Sequence, residues 1–425
     1  MRSMLTAMLM ATAVAASALT LQEARDAARE NYPLVKDYNL LALTEQYTLE
    51  NASKAWLPQV SAGLQATWQT DVVAYPDVLK EMLTLRGVEM KGMDKLQYKA
   101  SVDVRQMIWD GGRVSAQKEI AKAESEEARR ANDVELYQLQ GRVDQLYFSI
   151  LLLEEQEATI TQTITLLSSN LDKVKSLVRN GAAMQSDADA VEVELLSTQQ
   201  QLQSVKRSIT SFKQILGIYI GQKGDYELEE PIEIAVTPSN EANHRPEYLL
   251  MSAREATLDA KLKEIKASCM PQIGAFAQGY YGYPGLNFMD AMMNRKPTLN
   301  AIIGISASWN ISSFYTKKNR QLTLATAADR IEVAKEKLQF NTDIQADQQR
   351  NEISRLREIS VTDKDITALR TRVRIASEAK LREGVVEPTD LLLRITEEKN
   401  SIIAANMHRI QYLQAIYSLQ NILNQ

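Results

Sequence analysis

Val60-Ser61-Ala62-Gly63-Leu64-Gln65-Ala66-Thr67-Trp68 and, far down the chain, Leu299-Asn300-Ala301-Ile302-Ile303-Gly304-Ile305-Ser306-Ala307 decide the fold. In the first stretch Val60, Ala62, Leu64, Ala66 and Trp68 share one side of an extended chain, while Gln59, Ser61, Gln65, Thr67 and Gln69 share the other. Successive strand side chains point to opposite faces, so a period of two marks a strand with one apolar and one polar side. The second stretch groups Leu299, Ala301, Ile303, Ile305, Ala307, Trp309 and Ile311 against Thr298, Asn300, Gly304, Ser306, Ser308 and Asn310, with Ile302 as the exception. Two more segments alternate. Tyr98, Ala100, Val102, Val104 and Ile108 oppose Lys99, Ser101, Asp103 and Arg105, and a glycine-rich run extends from Ile273 to Tyr283. Each is close to the ~9 to 11 residues of a tilted membrane strand, with the two unlike faces that lipid and water demand. Alternation alone also fits a half-buried soluble sheet, so the rest of the chain has to decide.

The four segments sit in a duplicated frame. Pro33 matches Pro246, Pro58 matches Pro271, and Leu57-Pro58-Gln59-Val60-Ser61-Ala62 matches Met270-Pro271-Gln272-Ile273-Gly274-Ala275 at one offset. A second block, shifted by ten residues, matches Ile108 with Ile311 and Arg179-Asn180-Gly181 through Asp187 with Arg382-Glu383-Gly384 through Asp390. A length change confined to one connection is what a true repeat shows. The expected organisation is a first repeat over 19–220, with strands at 58–70 and 97–109 and a helical hairpin at 113–220. A linker at 221–245 precedes a second repeat over 246–425, with strands at 271–283 and 298–311 and a hairpin at 316–423.

From Arg113 to Arg179, and from Thr316 to Arg382, no proline interrupts the chain. A continuous helix of that length would reach about 100 Å. Leu136, Val143, Ile150, Ile164, Leu171 and Val178 recur at sevens, interleaved with Leu139, Leu146, Leu153, Ile160, Leu167 and Val174, which predicts coiled-coil packing. The second copy is looser: Leu324, Ile331, Leu338, Ile359, Ile366 and Val373 form a seam that Gln345 and Glu352 interrupt, a stretch expected to face water. Gly181 and Gly384 end the long helices, and Ser186 or Asp187 and Pro388-Thr389-Asp390 start the returning ones. The aromatics fall at the strand ends. Trp56, Trp109 and Trp309 adjoin the helices, and Trp68, Tyr280, Tyr281 and Tyr283 lie at the opposite ends, as two interfacial girdles would.

Glycine (16) and proline (10) are scarce, so most of the chain is expected to be helical. The 49 basic and 54 acidic residues are interspersed, which gives nucleic acid no basic surface to bind. A single cysteine, Cys269, and two distant histidines, His244 and His408, offer neither a zinc site nor a nucleophilic triad. No Gly-rich phosphate loop follows a strand, so an enzyme is not expected, and neither a cofactor nor a metal is called for. Arg2, the apolar run Leu5 to Ala16 and Ala16-Ser17-Ala18 predict a signal peptide over 1–18. Beyond it no apolar run approaches the ~20 residues of a spanning helix, so a membrane segment would have to be β. Four strands cannot close a barrel, and open edges are not tolerated in hydrocarbon, so the chain is expected to share its barrel with copies of itself.

These features resemble the outer-membrane efflux protein family, the TolC-like channels, over essentially the whole mature chain. Leu19-Thr20-Leu21-Gln22-Glu23-Ala24 with Asn31-Tyr32-Pro33 is similar to the family's opening helix. Leu57-Pro58-Gln59 resembles its lead-in to the first strand, and Asp110-Gly111-Gly112-Arg113 its strand-to-helix junction. The resemblance implies a fold mainly α with a membrane β-barrel, four strands per chain completing a trimeric twelve-stranded barrel that continues as a long periplasmic α-helical barrel. It also implies the cell outer membrane, and an adaptor docked on tips formed by Arg179, Asn180, Gly181, Ala182, Ala183 and Asp187, and by Arg382, Glu383, Gly384, Val385, Val386 and Asp390. The expected function is a passive exit duct for small toxic compounds delivered by an inner-membrane pump. Protein secretion through the same architecture and an exported coiled-coil scaffold without a pore are the alternatives. The family often closes its tunnel with acidic side chains; the run Arg370, Arg372, Arg374 is basic, and no carboxylate gate is assigned. The absence of Met-rich or His-rich clusters argues against metal export.

Overall fold

The computed structural model describes residues 18–87, 91–223, 226–234 and 245–424. The expected signal peptide, His244 and most of the expected linker lie outside the described residues. The chain runs α1 (Leu21–Asn31), α2 (Val35–Ser53), β1 (Gln59–Trp68), α3 (Asp77–Thr84), β2 (Leu96–Trp109), α4 (Arg113–Arg179) and α5 (Gln185–Ile220). The same plan then repeats as α6 (Pro246–Ser268), β3 (Gln272–Tyr283), α7 (Phe288–Asn294), β4 (Thr298–Ser308), α8 (Ser313–Arg382) and α9 (Pro388–Leu423). Among the described residues no helix is long and apolar enough to cross a membrane.

The chain forms two compact units. One holds the chain up to Tyr38 with Arg130–Leu249 and Ala334–Gln425; the other holds Asn39–Arg129 and Leu250–Val333. The core of the first is built on α4. Leu139, Val143, Ile150, Ile160, Leu167 and Val174 are buried as the sevenfold pattern predicts. Tyr147 and Phe148, off that seam, are buried as well, because α1 lays Leu21, Ala24 and Ala28 over a second face of the helix. The Tyr147 hydroxyl lies 2.6 Å from the carbonyls of Leu19 and Glu229, and burial pushes its pKa up. Arg25 forks onto Asp144 with two bonds of 2.7 Å, yet burial still raises the Asp144 carboxyl.

The second unit is a four-stranded antiparallel meander in the order β1-β2-β3-β4. Its helices are joined by ion pairs: α6 meets the start of α4 through Lys261 and Glu124 (2.9 Å) and Lys263 and Glu119 (2.6 Å), and Arg129 reaches Glu45 on α2 (2.6 Å). The strand-to-helix junction explains its own sequence. The buried Asp110 carboxylate accepts from the backbone N–H of Gly112 (2.9 Å) and Val114 (2.6 Å), which caps α4. Gly111 sits at φ +70, where a Cβ would come within 2.5 Å of Met270 Cβ.

Three expectations need correction. Ile108 does not continue the apolar row of β2: a bulge between Met107 and Trp109 pairs Trp109 with Ile273 in its place. The expected last strand ends at Ser308, not 311, because the backbone of Asn310 accepts from Ser313 and turns the chain into α8 three residues before the expected start at 316. The junctions therefore align Trp109-Asp110 with Trp309-Asn310, and α8 has 70 residues where α4 has 67. Three extra residues in a heptad helix are a stammer, which breaks a continuous seam. That accounts for the looser pattern of α8, whose Gln345 is exposed.

Candidate functional site

Two features carry the chemistry, the faces of the sheet and the tips of the hairpins. Register settles the first. Leu64 pairs with Ala100, Ala62 with Val102, Val102 with Gly279, Ala277 with Ile303 and Ala275 with Ile305. Cross-strand partners share a side, so the apolar rows of all four strands form one face. Nothing among the described residues covers Leu64 or Ile303 on that face: they are 88% and 83% exposed. Gln106 is the polar residue that falls on it, at the edge, where its amide donates to the Trp56 carbonyl at 2.6 Å.

The opposite face carries Gln65, Thr67, Lys99, Ser101, Asp103, Arg105, Gln278, Asn300, Ser306 and Ser308. Asp103 is held by Gln278 Nε2 (2.5 Å) and Ser101 Oγ (3.2 Å). Phe276 lies across Gly304, where a Cβ would fall 2.8 Å from its ring, so the aromatic covers the gap in the neighbouring strand. Strands β1 and β4 each leave one edge unpaired among the described residues.

The aromatics separate by face. Trp56, Trp109 and Trp309 lie at the helix end, where Trp309 donates its indole N–H to the Cys269 carbonyl at 3.0 Å, and all three are exposed. At the far end Trp68 and Tyr281 are exposed on the apolar side. Tyr280 is a correction: as the neighbour of Tyr281 on a strand it points to the polar side, 5.9 Å from Lys99 Nζ. Tyr283 is a second one. It is 3% exposed, and its hydroxyl accepts from the Asp94 backbone N–H at 2.8 Å, so it pins the β1–β2 connection and presents no ring outward.

The tips share one geometry. Ala182 N–H bonds the Leu177 carbonyl (2.9 Å) and Gly181 N–H that of Val178 (3.0 Å); Val385 and Gly384 repeat this on Lys380 (2.9 Å) and Leu381 (3.1 Å). Both are Schellman turns with the glycine left-handed, φ +73 at Gly181 and +70 at Gly384. No atom lies within 4 Å of either glycine's missing Cβ. Arg179, Asn180, Ala182, Arg382, Glu383 and Asp390 are exposed; Ala183, Val386 and Asp187 are half-buried. The capping roles differ from expectation. Asp187 is the third helical residue, and its carboxylate accepts from the Met184 N–H (2.9 Å) to cap α5 from within. Asp390 holds the same place in α9 behind Glu387, with Pro388 starting the helix. Val385, one of the expected tip residues, and Met184, which the sequence pattern did not single out, are 70% and 74% exposed at the turns.

Behind the tips lies a charged band that sequence spacing could not reveal, since its partners come from different helices. Lys173 on α4 meets Glu378 on α8 at 2.7 Å, Arg374 meets Glu398 at 2.5 Å, and Lys399 meets Glu194 at 3.3 Å. Arg370 bonds Glu397 at 2.5 Å, so of the basic run only Arg372 is exposed without an ion pair among the described residues. Hydrogen bonds from Lys173 and then Arg382 hold Glu378 below the usual carboxylate range. No group of three metal-ligating His, Cys, Asp or Glu side chains occurs among the described residues.

An antiparallel sheet with one apolar and one polar face, joined in sequence to long helical hairpins, is the pattern expected of a membrane channel. Residues 24–221 match the sequence profile of the family described as outer membrane efflux protein. That match covers just under half of the chain, which resembles this outer-membrane family of transport channels. The fold is similar to that of the outer membrane protein VceC from Vibrio cholerae (TM-score 0.69, 12% identity, 95% of each chain covered). It is also similar to the Campylobacter jejuni CmeC outer membrane channel (0.68, 12%, 95% of this chain and 85% of that one). The open state of the Neisseria gonorrhoeae MtrE outer membrane channel matches as well (0.67, 14%, 95% and 88%). At these identities the likeness speaks for the fold. No curated protein matches the chain in sequence.

Proposed function

We propose that three copies of this chain close one barrel and form the passive outer-membrane exit duct of a tripartite efflux system for small toxic compounds. The observation that carries the reading is the sheet itself: two edges unpaired among the described residues, an apolar face with Gln106 only at its margin, and a hydrophilic one. In hydrocarbon the edge of β1 has to find a partner, and the edge of β4 on a second copy supplies it. The helices beside those edges support the pairing. Leu40, Leu43 and Tyr47 on α2, and Leu322 and Val333 on α8, are apolar and exposed within one chain, as surfaces awaiting a neighbour are. The duct lets outer-membrane lipid wet the Leu64–Ile303 side and water the Ser306 side, and the long helices extend it into the periplasm.

A periplasmic adaptor docks on the two Schellman turns and hands over cargo from an inner-membrane pump. Exposed Met184 and Val385 give the adaptor apolar contacts between the charges of Arg179, Arg382 and Glu383. Membrane fractionation with cross-linking of the native protein tests the assembly. A trimer in the outer-membrane fraction is expected, and a monomer in the soluble periplasm overturns the reading.

A further inference from the structure

The β3–β4 connection does not extend straight off the strand ends. It folds over the polar face, because Asn300, a residue of that face, accepts the Leu286 N–H at 2.9 Å. Gly285 lies so close to Thr298 Oγ1 that no Cβ would fit. Asn287 then caps α7 by accepting from the Asp290 N–H at 3.2 Å, which fixes Phe288 at the first helical position. Phe288 lines a recess of about 370 Å³ with Thr67, Gln97, Lys99, Tyr280 and Ile302, all at the end of the sheet away from the long helices. Two anomalies meet there. Ile302 is the apolar exception on a polar row, and Phe288 is a 57% exposed aromatic on the wet side. Lys99 Nζ stands over the Tyr280 ring, and the strands of this face carry Lys99 and Arg105 against one carboxylate, Asp103, already engaged by Gln278 and Ser101.

We propose that this connection is a built-in collar at the distal mouth of the duct, where Phe288, Tyr280 and Ile302 narrow the passage and Lys99 selects amphipathic anions. The inference rests on the duct reading above. An apolar ring in a water-filled bore favours solutes with an apolar body, and an uncompensated ammonium beside it raises the local concentration of negative ones. Aromatic faces add attraction for flat solutes without choosing their charge.

The test is thiol modification of Ile302→Cys in the assembled protein, where the native Cys269 is buried at 2% exposure and silent. Sulfonatoethyl and trimethylammonioethyl methanethiosulfonate are the probes, each rate normalised to free cysteine. The anionic reagent is expected to be favoured roughly threefold, and Lys99→Gln to erase that preference. Phe288→Ala is expected to speed both reagents alike. Equal rates with Lys99 in place, or rates that ignore Phe288→Ala, overturn the collar. Ser306→Cys, deeper on the same face, separates the two readings: if it is inert to both reagents the face is dry and the duct itself fails.

Discussion

Lys173 on α4 and Glu378 on α8 meet at 2.7 Å, which ties the first hairpin to the second just behind the tips. Glu378 is held below its ordinary range by Lys173 first and Arg382 next. A depressed carboxylate stabilises the folded state above its unfolded pKa, and that contribution fades as pH falls through the folded value. Lys173→Gln is therefore expected to lower thermal stability by at most about 1 kcal/mol at pH 7, since Lys173 is partly exposed. The difference between variant and parent should begin to shrink near pH ~4 and vanish only once pH has passed below the depressed value of Glu378. Melting curves at pH 7 and below that value check this; an equal deficit at both contradicts it.

The cap on α4 gives a second prediction. Asp110→Ala removes one hydrogen bond to the first helical turn at Val114 and one to Gly112 just before it, and should cost about 1–2 kcal/mol in denaturant unfolding, with Asp110→Asn losing less.

Gly111 and Gly112 both adopt positive φ, +70 and +89, but only Gly111 is crowded. Alanine at Gly112 adds backbone strain of about 1–2 kcal/mol, while alanine at Gly111 adds a clash with Met270 as well. The yield of assembled oligomer should fall much further for Gly111→Ala. Equal yields would mean that the α6–β3 junction gives way freely.

Arginine at Leu64 or Ile303 should cost about 2–4 kcal/mol each if those side chains meet the bilayer midplane. Arginine at Gln65 or Ser306, one residue away on the wet side, should be tolerated. Heat-resistant oligomer on unheated gels reports the outcome, and similar losses from both sets would remove the distinction between the faces.

At the tips, Met184→Asp and Val385→Asp should leave assembly and melting unchanged, because both side chains are exposed and make no core contact. Efflux measured as drug accumulation should drop severalfold in the double variant if these turns receive the adaptor. Normal efflux would move the docking surface elsewhere.

The periodic parts of the molecule were legible because periodicity is a property of sequence. Rows such as Val60 to Trp68 and the sevenfold leucines of α4 announce a strand and a seam without any knowledge of their neighbours. What stayed hidden depends on partners. Only register shows that Trp109 replaces Ile108 opposite Ile273. Tyr283 is an aromatic at a strand end like Tyr281, and only the β1–β2 connection folding onto it takes it out of the girdle. The Lys173–Glu378 and Arg374–Glu398 pairs join residues from different helices, so no local spacing points to them. The collar lay in plain view as the misfit Ile302, whose meaning depended on where Phe288 would go.

The order β1-β2-β3-β4 has a consequence for biogenesis. Its central pairing, β2 with β3, waits until α4, α5 and α6 have all been synthesised, and the intervening loop closes at a large entropic cost. Until then a newly exported chain carries a lone greasy hairpin with a bare rim, the kind of species that aggregates. A chain truncated before β3 keeps that hairpin unpaired for good, and should collect as aggregate where the full-length chain does not.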